Sequence, residues 1–505
     1  MSTQPAAHAG AVVRTRRQLR VALAAAVGLL ACVFTYLIFH ATSASGPATP
    51  IKSMAVLPFK TIDAGDKNAH QGLGMTDILI TRLSNIKDLT VRPTSAILAF
   101  ENQDQDSVTI GQRINVDAVL EGTIYHANDR VRVTARLIRV SDQSPLWAGQ
   151  FEKPLQDELR LQDEIALQLV DALALNLSGS EKGALTKRHT KSAEAYQLYL
   201  EGRYQWNSRN SDGMEQAQRL FRNAIEKDPS FALAYVGLAD TLATMTNAGE
   251  ANLAVEKALE LDPNLAEAHA TLGFIKMFHE WKWAEAESAI KRSIELNPGY
   301  ATAHHWYATL LEIQGRNDHA KAEFQRALEI DPMSYNFLAD LGQAYYFAHE
   351  YDKAKAYCHK SLEIYPDFHF AHWYLSDIYL QTGEYAAAVD EYLTAGVIDS
   401  NYRASSSALQ RDRAREYVAI HKARYREAGI RGFLDDPGPA NPDPNTSYSL
   451  AKRYAFLGDK KRALDSLEAA NRGRSFVSSF VKADPVFDKL RSEPRYQAVL
   501  QSMGL

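Results

Sequence analysis

The 505-residue chain reads as an α/β module followed by an all-α superhelical solenoid, with a single apolar helix ahead of both. Three observations predict this class. Pro229, Pro263, Pro298, Pro332 and Pro366 stand 34, 35, 34 and 34 residues apart, the period of helical arrays whose units bury their apolar faces only against their neighbours. Residues 51–178 break that period and alternate apolar with polar side chains in short runs, as half-buried strands do. Residues 21–39 carry no charge.

Each proline ends the same kind of phrase, such as Ala-Ile-Glu-Lys-Asp-Pro at 224–229 or Ala-Leu-Glu-Ile-Asp-Pro at 327–332. Proline lacks an amide hydrogen and keeps the residue before it out of helical geometry, so each phrase closes one helix and opens the next. Twelve residues before each proline stand Ala217, Ala251, Ala286, Ala320 and Ala354, small enough for two helices to cross closely. Eight residues before each stand Phe221, Val255, Ile290, Phe324 and Cys358, the knobs that fill the next gap. Pairs at Leu238-Ala239, Leu272-Gly273 and Leu341-Gly342 recur early in their units. This phased set of small, large and proline positions resembles the tetratricopeptide repeat. About six units are expected over 193–400, the last with Ser400 in place of its proline. A charged helix and a proline-rich loop follow over 401–443, then a degenerate unit and a terminal cap over 444–505. Two short helices near the end are expected to close the open end of the stack.

In the module, a buried strand is expected at 54–59 and a helix at 75–86, introduced by Gly72 and Gly74. A short strand at 89–92, a helix at 107–116 and a strand at 118–126 come next. Asn128 and Asp129 turn the chain into 131–140, where Val131, Val133, Ala135 and Leu137 alternate with Arg132, Thr134 and Arg136. A third antiparallel strand at 146–151 and a helix at 156–177 complete a mixed sheet with a hairpin element. Phrases such as Ala-Val-Leu-Pro-Phe (55–59), Gly-Leu-Gly-Met-Thr-Asp (72–77) and Val-Asp-Ala-Val-Leu-Glu-Gly-Thr-Ile (116–124) resemble the TolB amino-terminal-like domain, related to FlgO and CsgG. In bacterial one-component regulators resembling CadC, such a domain lies between a membrane helix and tetratricopeptide repeats. The resemblance then implies the extracytoplasmic half of such a receptor. The 20 residues before the apolar run are too few for the winged-helix DNA-binding domain of those regulators, so DNA binding is not carried over.

The run at 21–39 is long enough to cross a bilayer as a helix. Arg14, Arg16, Arg17 and Arg20 precede it, whereas 41–50 is uncharged, so residues 1–20 are expected in the cytoplasm, 40–50 as a linker, and the rest outside the inner membrane, in the periplasm. A signal peptide cleaved near Thr42 to Ser45 and a lipoprotein processed at Cys32 are the rival readings. The balance of 56 basic against 61 acidic residues argues against a protein that coats nucleic acid. Cys32 and Cys358 are the only cysteines, one in the apolar run and one at a core position, so no internal disulfide is expected.

The chemistry-bearing residues mostly follow the repeat. His269, His304 and His372 occupy equivalent positions in separate units and cannot converge as metal ligands must; a packing role is expected. Glu226, Glu260, Glu295, Glu329 and Glu363 recur at helix ends as solvated charges. Gly72 and Gly74 before a helix suggest a phosphate turn, but Asp77 stands where a third glycine is needed. Arg130, Arg132, Arg136 and Arg139 mark the wet face of an antiparallel sheet. No metal, cofactor or catalytic residue is expected. Inner-face positions on the first helix of successive units hold Asp240, Phe274, His305, Thr309, Asn336, Gln343, Tyr346, Trp373 and Asp377. Amides and exposed aromatics suit an extended protein or peptide partner. The competing reading is a groove filled by the chain's own C-terminal helix. The expected function is a membrane-anchored, non-enzymatic scaffold of the cell envelope; the alternative is a signalling subunit acting through a separate cytoplasmic effector.

Overall fold

The alternation at 130–139 becomes the central hairpin of the sheet, with one side of the strand buried and the other exposed. The computed structural model describes residues 50–505 apart from 63–68, 99, 101–104, 128–129, 155–157, 174, 176, 180–182, 184, 186–188, 208–210, 246, 404–407 and 437. Among the described residues the strands are β1 (Ser53–Val56), β2 (Lys60–Thr61), β3 (Thr90–Val91), β4 (Ala118–Ala127), β5 (Arg130–Arg139) and β6 (Pro145–Pro154). Their order is β3-β1-β4-β5-β6, with β2 also on β4. Pairing is parallel for β1 with β3 and β4 and for β2 with β4, and antiparallel through β4, β5 and β6. Asp117 fastens the parallel register: its Oδ2 accepts from the backbone amides of Lys52 and Ser53, each at 2.9 Å.

Helix α1 (Ala69–Leu83) lies against this sheet. The expected glycine-rich entry is part of the helix itself. A side chain at Gly72 would bring a Cβ within 2.0 Å of the Phe59 carbonyl oxygen. Thr76 Oγ1 sits beside it, donating toward the Leu57 and Gly72 carbonyls at 3.0 Å and accepting from the Phe59 amide at 3.2 Å. The glycine thus serves close helix–strand approach, not a phosphate cradle. Short helices α2 (Thr94–Leu98) and α3 (Ser107–Arg113) follow, and α4 (Glu158–Ala172) packs against β6.

The repeats form helical hairpins: α5 (Ala193–Asn207) with α6 (Ser211–Lys227), α7 (Ala232–Thr244) with α8 (Ala248–Leu261), and α9 (Ala266–Phe278) with α10 (Trp283–Leu296). Then come α11 (Ala301–Ile313) with α12 (Asn317–Ile330), α13 (Tyr335–Phe347) with α14 (Tyr351–Ile364), and α15 (His369–Thr382) with α16 (Tyr385–Arg403). All five phased alanines and all five knobs are fully buried. A Cβ on Gly342 would stand 2.6 Å from the Cys358 sulfur, so the glycine of that Leu-Gly pair makes room for the knob. The acid or amide before the proline closes a turn: Asp228 Oδ1 accepts from the Ser230 amide and Asn297 Oδ1 from the Gly299 amide, both at 3.0 Å. First helices of consecutive hairpins touch one another as well as their own partners, which sets them on the inner, tighter side of the curve.

Two further pieces lie against the array within the compact unit Lys52–Leu505. The α/β module reaches the first hairpin, where the Tyr196 hydroxyl donates to Asp77 at 3.2 Å. It also reaches the turn after α10, where a Cβ on Gly299 would stand 3.0 Å from the Ser84 carbonyl oxygen, and the turn after α12, where Ser95 Oγ donates to Asp331 at 2.7 Å and Met333 joins the module core. After α17 (Ala408–Leu434), which is broken at Ala428 and Gly429, come α18 (Pro444–Leu457) and α19 (Lys460–Arg472). Two 3-10 turns at Val477–Lys482 and Pro485–Leu490 and α20 (Pro494–Met503) complete a C-terminal unit with its own core around Tyr448, Leu467, Phe487 and Tyr496.

This architecture corrects the expected fold class and localisation. It is an all-helical repeat solenoid with a small N-terminal mixed sheet, and among the described residues no helix is long and apolar enough to cross a membrane. The longest described helix, α17, is rich in arginine, and the first helices of the repeats, buried on most sides, run only 13 to 15 residues, short of the roughly 20 that a bilayer needs. The expected spanning segment 21–39, the tail at 1–20, Cys32 and nearly all of the 40–50 linker lie outside the described residues, as do Asn128 and Asp129. A single-pass inner-membrane protein with a periplasmic bulk is therefore not supported.

Candidate binding surface

The periodic histidines brace their own units. In three repeats the ring Nε2 meets the carbonyl of the proline six residues earlier: His269 to Pro263 at 2.9 Å, His304 to Pro298 at 3.1 Å and His372 to Pro366 at 2.9 Å. His304 Nδ1 also meets Glu323 at 2.7 Å, and His372 Nδ1 meets Glu391. Burial works against a charged His372, but the Glu391 carboxylate and the Pro366 carbonyl outweigh it and raise its pKa. No group of three or more His, Cys, Asp or Glu placed to hold a metal ion occurs among the described residues. The sheet arginines are paired on the wet face, Arg130 and Arg132 with Glu152 at 2.6 and 2.9 Å and Arg136 with Glu121. Glu260, Glu295 and Glu329 each meet a basic side chain three residues earlier.

The nine residues expected on the inner face divide into those engaged by other side chains and those half-buried. Asp240 is buried, with Arg203 at 3.1 Å and the Thr271 hydroxyl at 2.6 Å. His305 meets Asp340 at 2.7 Å, and Asp340 also accepts from the Tyr374 hydroxyl at 3.1 Å. Thr309 is buried and donates to its own helix at the His305 carbonyl. Phe274 lies among Phe278, Trp306 and Phe476. The Tyr346 hydroxyl is buried and donates to Asp484 at 3.0 Å. Asp377 pairs with Lys452. Asn336, Gln343 and Trp373 are half-buried, and the Trp373 ring meets His369 and Phe370 edge-on.

Three of the engaged residues are held by the C-terminal unit. The Phe476 ring stacks on Phe278 with centroids 4.0 Å apart, and Phe480 packs beside Phe347 and Phe278. Lys452 stands between Asp377 of the array and Asp484 of the 3-10 segment, the latter at 3.3 Å. Burial alone would lower the Lys452 pKa, but the two carboxylates raise it, so the ammonium stays charged. Farther along, Trp283 Nε1 donates to the Met503 carbonyl at 2.7 Å. The short terminal elements therefore lie along the inner face of the third to fifth hairpins. In the same region Glu312 is 1% exposed, and neither carboxyl oxygen has a hydrogen-bond partner among the described residues. Burial, reinforced by the Asp340 carboxylate, pushes its pKa well above the ordinary range.

Sequence reasoning placed Tyr346 and Asp377 on the inner face but missed their partners Lys452 and Asp484. It also missed Phe476 and Phe480, whose four-residue spacing puts two aromatic rings on one side of a helical turn and was the available signal.

Residues 199–266, 282–334 and 339–406 match the tetratricopeptide repeat family. The chain carries tetratricopeptide repeats. Residues 51–168 match the family described as the second domain of HilA/YgeH-like transcriptional regulators, and the expected TolB-like domain is not confirmed. Over 236 residues the chain is 29% identical to "Putative adenylate cyclase 3" of Rhizobium meliloti (strain 1021), covering 45% of this chain and 40% of that protein. Over 286 residues it is 28% identical to "Superkiller protein 3" of Schizosaccharomyces pombe (strain 972 / ATCC 24843), covering 55% of this chain and 18% of that protein. The chain thus spans two fifths or less of these curated relatives. Among solved structures it resembles PilW, a widely conserved type IV pilus biogenesis factor, with 18% identity and a TM-score of 0.33 over 40% of this chain and 91% of that one.

Proposed function

We propose that the chain is a non-enzymatic scaffold that binds a protein or peptide partner along the inner face of its repeat array. The observation that carries this reading is the run of phased hairpins whose first helices line one continuous face. Tetratricopeptide proteins bind protein or peptide partners, and Asn336, Gln343 and Trp373 supply amides and an aromatic anchor on that face. Asp240, Phe274, His305, Thr309, Tyr346 and Asp377 shape it from beneath through their intramolecular bonds. In this reading, 51–178 is a separate module, 193–400 the binding array, 401–443 a connector and 444–505 a terminal unit.

The test is replacement of Asn336, Gln343 and Trp373 by alanine together in a tagged full-length chain. Loss of about 2 kcal/mol or more of partner affinity is expected, at least tenfold less co-purified partner, with melting unchanged. Undiminished co-purification would contradict the reading.

A second reading makes the chain the regulatory part of a signalling system that acts through a separate effector. It is favoured by the match of 51–168 to a domain of transcriptional regulators and by the stretch shared with a protein named as a cyclase. Identifying the captured partner separates the two: an effector favours regulation, a structural component favours scaffolding.

A further inference from the structure

The inner face already holds a polypeptide, and the chemistry of that polypeptide describes what the face accepts. Phe476 and Phe480 are four residues apart and enter beside Phe278 and Phe347. Four residues later the Asp484 carboxylate takes the Tyr346 hydroxyl. The segment runs through 3-10 turns, whose hydrogen-bond geometry is poorer than that of an α-helix. Its seat is imperfect: Phe476 is 37% exposed, the buried Ser479 hydroxyl has no hydrogen-bond partner among the described residues, and one ammonium, Lys452, serves two carboxylates. Each is a local cost that a better ligand avoids. Val481 of the segment is buried in the core of the C-terminal unit, with Val477 packed against it, and the Tyr496 hydroxyl donates to the Val481 carbonyl at 2.7 Å, so the segment leaves the array together with that unit.

We propose that residues 476–484 act as a tethered ligand of the array, and that the external partner is a polypeptide segment carrying two aromatic side chains four residues apart followed four residues later by a carboxylate, which enters by displacing it. This rests on the reading of the array as a peptide-binding surface. A tethered segment competes at an effective concentration in the millimolar range, so the closed chain binds a free segment of the same chemistry far more weakly than an opened one.

The experiment is a titration of a fluorescent synthetic peptide of residues 474–488 into the full chain, read by anisotropy. The Phe476→Ala/Phe480→Ala chain is expected to bind it on the order of tenfold or more tightly than the unmodified chain. Adding Phe278→Ala to that variant is expected to weaken binding again, and a peptide with both phenylalanines replaced is expected not to bind. Equal affinity for the opened and unmodified chains, or binding that ignores the peptide phenylalanines, overturns the proposal. If melting shows the double variant unfolded, Lys452→Met decides in its place: it loosens the C-terminal unit while leaving the aromatic seat intact. Tighter peptide binding than the unmodified chain supports the proposal, and equal binding overturns it. A flat titration alongside a partner still captured through Trp373 rejects the tethered ligand and leaves the scaffold reading standing.

Discussion

Glu312 is a buried carboxyl group whose two oxygens have no hydrogen-bond partner among the described residues. Because burial raises its folded pKa above the ordinary value of 4.5, the folded state holds the proton more tightly than the unfolded chain. Its contribution to stability is therefore fully present below about pH 4.5 and is lost as pH rises toward the folded value. Glu312→Gln keeps the shape and removes the ionisation. Melting temperatures measured from about pH 5 to pH 9 are expected to fall less steeply for the variant than for the unmodified chain; parallel curves would show that the acid is solvated in solution. At the same scale, the alanine and knob positions were legible in the sequence because close packing tolerates only a narrow range of volumes there. Glu312 was not, since an acid near the end of a helix reads as solvent-facing until the neighbouring helices are placed around it. The same limit hid the burial of Asp240, whose partner Arg203 lies on another hairpin.

Among the elements, Arg92 joins two helix ends that sequence could not bring together. Its guanidinium donates to the Ile114 and Asn115 carbonyls after α3, at 3.0 and 2.6 Å, and to the Glu329 and Ile330 carbonyls ending α12. Helix C-termini carry partial negative charge and unpaired carbonyls, so a buried cation there meets both needs at once. Arg92→Met should leave several carbonyls unsatisfied and cost about 1–3 kcal/mol. Amides near 330–334 are expected to exchange faster while those of α14 and α15 keep their rates, and unchanged exchange at 330–334 would contradict the clamp. Asp331 lies at the same contact, where burial raises its carboxyl pKa to about 6. Its share of stability is present below the ordinary 3.8 and declines as pH rises through about 6. The repeat hairpins were readable because their contacts are local and periodic. The module's docking on the fourth hairpin is set by residues more than two hundred positions apart, and no period marks them.

At the scale of the whole molecule, the array is an interaction surface with one occupant already in place. A curved stack buries each hairpin against its neighbours but leaves the inner side without a partner. In this chain the C-terminal unit covers much of that side, so some of the residues read from sequence as ligand contacts make intramolecular ones. A photo-reactive phenylalanine analogue installed at position 480 of the full chain measures this most directly. Irradiation is expected to link it within the same chain to peptides from α9 or α13, near Phe278 and Phe347. Links confined to the C-terminal unit, or to solvent alone, would contradict the account.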